Sequence, residues 1–258
     1  MNSIYIRFYG QLNDFISLGK GRKEKGEGMS LKPQLCQFLQ LTVSRRSIKD
    51  LIESLGVPHC EVYHILVNGN SVNFNYIVQA DDYISVYPKF NSIDVNDLIA
   101  LQPALAQEIK FILDVHLGKL TKYLRLFGFD SAYKNNCTDL DLIEYSINEK
   151  RILLTRDAGL LKNNKVIQGY WLRNTDPLKQ IEEIIEQFNL KNSLKPFSRC
   201  MICNGEIVPV NKESIIKKLE PKTIQFYTDF FICCKCEKIY WKGSHWKKME
   251  NMIKKYVL

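Results

Sequence analysis

The sequence predicts an α/β fold in which a parallel sheet is flanked by helices, with a small α+β domain ahead of it and a zinc ribbon behind. Three observations carry that reading. Between residues 110 and 190, short apolar runs alternate with segments of helical period, the signature of a parallel sheet covered by helices. Two of those runs end in an aspartate: Phe111-Ile112-Leu113 runs into Asp114, and Arg151-Ile152-Leu153-Leu154-Thr155-Arg156 into Asp157. Late in the chain, Cys200-Met201-Ile202-Cys203 and Cys233-Cys234-Lys235-Cys236 form two Cys-x-x-Cys pairs with 29 residues between them.

Composition sets the frame. A chain of 258 residues that is 45% hydrophobic can bury real cores, and its length fits one to three domains. No apolar stretch approaches the roughly 18 residues of a membrane helix. The N-terminus, Met1-Asn2-Ser3-Ile4, lacks a basic-then-apolar leader pattern. The expected setting is the cytoplasm, with no membrane partner, and there paired cysteines favour metal over disulfides. Residues 191–258 hold 14 Lys and Arg against 6 Asp and Glu, which equals the net charge of +8 of the whole chain. A basic module on a neutral body is either an electrostatic footprint for a polyanion, nucleic acid first, or a solubilising surface.

Residues 1–90 read as the small α+β domain. Ile4-Tyr5-Ile6-Arg7-Phe8-Tyr9 is an alternating strand, residues 19–28 a lysine- and glycine-rich exposed loop, and residues 34–41 a second strand. Ser47 caps a helix over 48–55, stopped by Gly56 and Pro58. Residues 62–67 form a third strand, Asn68-Gly69 a tight turn, and Tyr83-Ile84-Ser85-Val86-Tyr87 the last strand. Strand, strand, helix, strand, strand is the order of a β-grasp, or ubiquitin-like, domain. The pattern resembles the sulfur-carrier ubiquitin-like proteins, which act through a free C-terminal Gly-Gly. Here the chain continues through Pro88-Lys89-Phe90, so the domain reads as an accessory module able to dock a protein partner.

Residues 91–109 read as a linker with some helical character, and residues 110–190 as the α/β domain. After Asp114, a helix places Leu117, Leu120, Thr121, Leu124 and Phe127 on one face and ends at Gly128. Its other face carries Lys119, Lys122 and Arg125. Residues 129–133 are the next strand, Thr138 caps a helix over 139–149, and the Asp157 strand follows. Val166-Ile167-Gln168 comes next, and Pro177 opens a helix reaching Phe188.

Ligand and catalytic groups of open α/β sheets gather beyond the carboxyl ends of the strands. Asp114 and Asp157 therefore converge if their strands are neighbours, and two close carboxylates either raise a pKa or hold a divalent cation. Oxygen-only sites suit Mg2+ and Mn2+. Each aspartate taken alone is equally a helix cap. Asp139 and Asp141 stand in a first helical turn, where acids are expected for dipole reasons, and Asp176 before Pro177 is a cap.

Cys200, Cys203, Cys233 and Cys236 supply two thiolate knuckles, enough to close a tetrahedral S4 site for a structural Zn2+ with no open position. Cys234 is a bystander. Residues 191–258 thus form a zinc ribbon with a basic, aromatic C-terminal segment. Within it, Tyr240-Trp241-Lys242-Gly243-Ser244-His245-Trp246-Lys247-Lys248 interleaves rings with positive charge. Such a stretch either stacks bases and neutralises phosphates or packs the ribbon against its neighbour.

Several of these runs carry a specific resemblance. Leu113-Asp114-x-His116-Leu117-Gly118-Lys119-Leu120, Leu124-Arg125-x-x-Gly128-Phe129-Asp130, Ile152-Leu153-Leu154-Thr155-Arg156-Asp157, Pro196-Phe197-Ser198-Arg199-Cys200 and Tyr240-Trp241-x-Gly243-Ser244-His245-Trp246 resemble the mut-seven C-terminal RNase family. Its members look like PIN-domain ribonucleases with a zinc ribbon. The first 90 residues resemble the ubiquitin-like domain fused to that family, through Arg7-Phe8-Tyr9, Leu12-Asn13-Asp14-Phe15, Lys49-Asp50-Leu51-Ile52-Glu53, Gly56-Val57-Pro58-His59 and Ile65-Leu66-Val67-Asn68-Gly69. The resemblance implies a PIN-like sheet whose acids bind Mg2+ or Mn2+ and hydrolyse RNA. Asp114 and Asp157 match the family pattern, and the helix acid is Asp139 or Asp141. No acid matches the fourth position, for which Asn174 or Asp176 stands nearest. Lys119, Lys122, Arg125, Arg156, Arg199, His245 and Trp246 are the expected RNA contacts.

Overall fold

The computed structural model describes residues 3–20, 38–42, 45–90 and 97–257. β1 (Ser3–Phe8) alternates as its sequence does, with Ile4, Ile6 and Phe8 turned into a core. α1 (Asn13–Lys20) follows, then β2 (Leu39–Thr42). Residues 34–37 of the expected second strand and residues 21–28 of the expected loop lie outside the described residues. In α2 (Ile48–Ser54), Ser47 is extended and its hydroxyl accepts the Asp50 N–H at 3.1 Å, satisfying one of the orphan donors of a helix start. β3 (His64–Val67) and β4 (Asn70–Ser71) are joined by Asn68 and Gly69, both at positive φ, as a two-residue hairpin demands. β5 (Tyr83–Tyr87) completes a five-stranded sheet of order β2-β1-β5-β3-β4, in which β1 and β5 run parallel with Tyr5 opposite Tyr83. Ile4, Ile6, Phe8, Phe15, Leu51, Ile65 and Ile84 are among its buried residues.

Residues 97–109 form no helix, against the expectation for the linker. β6 (Lys110–Leu113) leads through a short 3-10 turn into α3 (Gly118–Leu126), and β7 (Asp130–Tyr133) returns parallel to β6, with Phe111 opposite Ser131. α4 (Asp139–Asn148), β8 (Ile152–Thr155) and β9 (Gly169–Trp171) follow, and β8 and β9 are also parallel. Val166, Ile167 and Gln168 form no strand. Val166 is buried in a turn and the strand begins three residues later, where Tyr170 points inward. In α5 (Pro177–Phe188), the Asp176 side chain accepts the N–H of Leu178 at 2.8 Å and of Lys179 at 3.2 Å, with Pro177 in the first turn. The fold class is thus mixed α/β, with parallel strands followed by helices.

The C-terminal part is an antiparallel sheet of β10 (Ile207–Val210), β11 (Phe230–Cys233) and β12 (Ile239–Trp241), with α6 (Lys212–Ile215) and α7 (Pro221–Phe226) between its first two strands. α8 (Ser244–Val257) ends the chain. This is a ribbon arrangement, with one cysteine pair before β10 and the other running from Cys233, the last residue of β11, into the turn before β12.

The chain falls into two compact units: residues 1–106 with 139–171, and residues 107–138 with 172–258. In the first, segment 139–171 packs on the N-terminal domain. Trp171 and Ala158 lie against its core, and the His59 ring makes two contacts, Nδ1 with Glu53 at 2.7 Å and Nε2 with the Val166 carbonyl at 2.9 Å. In the second, α3 packs against α5, and Phe111 meets Phe129 and Phe188 edge-on with ring centroids 5.9 Å apart. No helix among the described residues is long and apolar enough to cross a membrane.

Candidate functional site

The sulfurs of Cys200, Cys203, Cys233 and Cys236 lie within 4.8 Å of one another. Cys200 and Cys236 are 3.6 Å apart and Cys203 and Cys233 3.4 Å. Around a tetrahedral zinc with bonds of about 2.3 Å, sulfurs stand roughly 3.8 Å apart, so the number, type and spacing of donors fit such an ion. The four cysteines could hold a metal ion such as zinc. Asn204 and Glu237, each the residue after a pair, take positive φ and turn the knuckles.

The thiols are not equivalent. Burial would push the Cys200 thiol up, but the Tyr240 hydroxyl at 3.0 Å, the backbone of Cys203 and Ile202, and Cys236 bring it down to about 6. Burial and the neighbouring sulfurs push Cys203 up to about 12, against the Gly205 backbone. One thiolate among four close sulfurs makes further deprotonation costly until a cation neutralises the cluster.

Arg125 corrects a sequence expectation. It is buried, its Nε donates to the Ser131 carbonyl at 2.9 Å, and one terminal nitrogen reaches the carbonyls of Met201 at 3.2 Å and Ile202 at 2.8 Å. Burial lowers its pKa while Cys200, Cys203 and Asp130 raise it. The guanidinium ties α3 and β7 to the first knuckle, and its donors are spent on these carbonyls. Asn204 completes the joint: its side chain accepts the Ser131 N–H at 3.0 Å and donates to Asp130 at 2.7 Å.

Trp246 is the second correction. It stacks on Phe197 at 3.8 Å and on Phe231 at 5.5 Å, so the ring is engaged in packing within the ribbon rather than held out as a free stacking platform. Arg199 is half-buried, donates to the Asn204 carbonyl at 3.1 Å and stands 3.8 Å from Asp130. Lys119, Lys122, Arg156 and His245 are exposed, as phosphate contacts must be.

The acids fall as follows. Asp114 directly follows β6, in the second unit, at the entry of the 3-10 turn, and its side chain makes no cap bond there. Asp139, Asp141 and Asp157 belong to the first unit and are exposed. Asp139 and Asp141 occupy the first turn of α4. Asp157 sits in a turn closed by its own N–H on Thr155 Oγ1 at 2.9 Å and by its Oδ1 accepting the Gly159 N–H at 2.7 Å. One of its oxygens is thus engaged by the backbone. Among the described residues of that unit, these three acids do not converge as the cysteines do. Of the two residues nearest the fourth position, Asp176 caps α5 through one carboxylate oxygen, and Asn174 donates its backbone N–H and its amide NH2 to Glu183. Oxygen donors alone suit Mg2+ or Mn2+, so the chemistry of the set fits those ions.

Comparison with known proteins gives two findings. A family model described as Mut7-C RNAse domain matches residues 109–253, and one described as Mut7-C ubiquitin matches residues 1–94. No curated protein and no solved structure matches the chain.

Proposed function

The chain belongs to the Mut7-C RNAse domain family, and on that premise we propose that it is a metal-dependent ribonuclease that hydrolyses RNA phosphodiester bonds at its strand-end carboxylates. The observation that carries this reading is the family match over residues 109–253, which takes in Asp114, Asp139, Asp141 and Asp157. Asp114 and Asp157, with Asp139 or Asp141, would hold Mg2+ or Mn2+, which when bound supplies an activated water and relief of charge on the phosphoryl oxygens. Lys119, Lys122 and Arg156, all exposed, hold the RNA backbone, and the basic ribbon and α8, with His245 in its first turn, extend that grip. Zinc in the four-cysteine site is structural, since sulfur fills every position. The cytoplasm, where thiols stay reduced, suits that site.

A second reading is a catalytically silent RNA-binding module, or an adaptor that docks a protein through the ubiquitin-like domain. The engaged Asp157 oxygen and the committed Asn174 and Asp176 favour silence. Tyr83 and Phe38, exposed on the outer face of the N-terminal sheet, favour docking. One experiment decides about cleavage: single-stranded and structured RNAs are incubated with Mn2+, Mg2+ or chelator, comparing wild type with Asp114→Asn. Metal-dependent cleavage that the substitution abolishes while RNA binding survives is expected. Binding without cleavage under every metal would establish the silent module.

A further inference from the structure

The turn that carries Asp157 is held from the N-terminal domain. Glu61, buried at 2% exposure, accepts the Trp171 backbone N–H at 2.6 Å. The Trp171 ring rests on Phe15 of the N-terminal core, with centroids 5.0 Å apart. Its indole N–H donates to the Arg156 carbonyl at 3.0 Å. Arg156 precedes Asp157, and Ala158, which follows it, packs on the same core. Asp157 is therefore bracketed by two residues tied to the N-terminal domain.

The surroundings of this tie are equally built. Cys60 Sγ donates to the Leu161 carbonyl at 3.6 Å, and Lys49 reaches Asn164 at 2.8 Å. At Gly169 an added Cβ would stand 2.6 Å from the Leu161 side chain and 3.3 Å from Cys60 Sγ, so the start of β9 lies against the N-terminal domain at Cys60.

Resting on the reading of Asp157 as a metal-holding carboxylate, we infer that Trp171 is a positioning residue for Asp157, so that the ubiquitin-like domain is part of the scaffold of the site. The physical reason is that Asp157 lies in an exposed turn whose own bonds, to Thr155 and Gly159, are local. Local bonds fix the shape of a turn but leave its placement to whatever grips it from outside. The indole provides that grip on the peptide just before the carboxylate, and Phe15 and Glu61 fix the indole. Catalytic groups need support of this kind, because a displacement of about 1 Å can cost on the order of a hundredfold in rate.

The test uses the full chain with Trp171→Phe, which keeps an aromatic ring beside Phe15 and removes the indole N–H together with the second ring, beside Glu61→Gln, which keeps the acceptor for the Trp171 N–H. Amide hydrogen exchange at Asp157 and Gly159 is measured without metal or RNA. Cleavage with Mn2+ and RNA affinity are measured in parallel. For Trp171→Phe, exchange at those two amides should rise by about tenfold or more while β1 and β5 stay protected. Its cleavage rate should fall between about 10- and 100-fold with RNA affinity unchanged. Glu61→Gln should stay near wild type in both. Unchanged exchange at Asp157 and Gly159 would overturn the inference, as would faster exchange spread evenly over the N-terminal sheet, which would mean general loosening. Should wild type cleave nothing under any metal, the ribonuclease reading fails, and the exchange measurement still decides whether Trp171 holds the turn.

Discussion

Trp246 lies face to face with Phe197, with ring centroids 3.8 Å apart and planes 11° from parallel. With Phe231 also stacked on it at 5.5 Å, this ring belongs to the packing of α8 on the ribbon. Trp246→Ala should cost about 2–3 kcal/mol of stability, lowering Tm by roughly 4–12 °C for a protein of this size. His245→Ala, one residue away and exposed, should leave Tm in place and weaken RNA binding. Thermal melts and binding titrations on both variants check the contrast.

Lys119, Lys122 and Arg125 share a helix and separate in the same way. Lys119→Ala or Lys122→Ala should each reduce the slope of log affinity against log salt by about 0.7 to 0.9, the signature of one lost phosphate contact. Arg125→Met should leave the slope alone and destabilise by about 2–3 kcal/mol, because it strips the buried Ser131 carbonyl and those of Met201 and Ile202 of their donor. Salt titrations and melts separate the two outcomes.

Metal analysis should find about one zinc per chain. Cys234, exposed and outside the cluster, should be labelled by a thiol reagent in the zinc-loaded protein, whereas Cys60 should resist. Burial first, and the Glu61 charge second, push the Cys60 thiol well above its ordinary value, so at neutral pH it is both covered and protonated. Removing zinc with a chelator should add Cys200, Cys203, Cys233 and Cys236 to the labelled set. Mass spectrometry of labelled peptides reads all of this directly.

Gly128 is at φ +96°, and a Cβ there would collide with the Lys195 carbonyl. The strand after α3 and the chain leading to the ribbon pass too close for a methyl group: Lys195 N–H donates to Phe127 O at 3.0 Å and Phe197 N–H to Leu126 O at 2.9 Å. Gly128→Ala should therefore destabilise by at least about 2–3 kcal/mol, through clash and left-handed strain together. Gly69→Ala, with positive φ but open space around it, should cost only about 1 kcal/mol. Denaturant melts on the two variants measure the difference.

What was legible in the sequence was local. Ser47 is a cap because its hydroxyl reaches a neighbour three residues on, Asn68-Gly69 is a hairpin because the turn needs positive φ, and Ser3–Phe8 is a strand by its own alternation. The cysteine pairs announce their site because their spacing is itself the site. Arg125, by contrast, sits on what helical spacing marks as a polar face, and only the knuckle at 201–202 buries it. β9 escaped because it opens on a glycine, a residue disfavoured in strands, that is there to let Cys60 and Leu161 approach. Glu61 and Trp171 are 110 residues apart, and no local pattern in either stretch signals that they meet. The acids at 114, 139, 141 and 157 were legible as residue types, while the fourth position was not, because Asn174 and Asp176 are committed to Glu183 and to α5 by contacts that lie within the fold.

The first compact unit is built from two stretches of chain, residues 1–106 and 139–171. On a ribosome that order sets a schedule. When the N-terminal sheet has emerged, Phe15, Cys60 and Glu61 still lack the residues that cover them, and thirty-odd residues of the other unit must come out before the first of those partners arrives. The nascent protein thus carries an unfinished apolar face until Trp171 has been synthesised. A pause in translation within that interval would offer the face to chaperones or to neighbouring nascent chains, and a truncated product ending there would keep it for good.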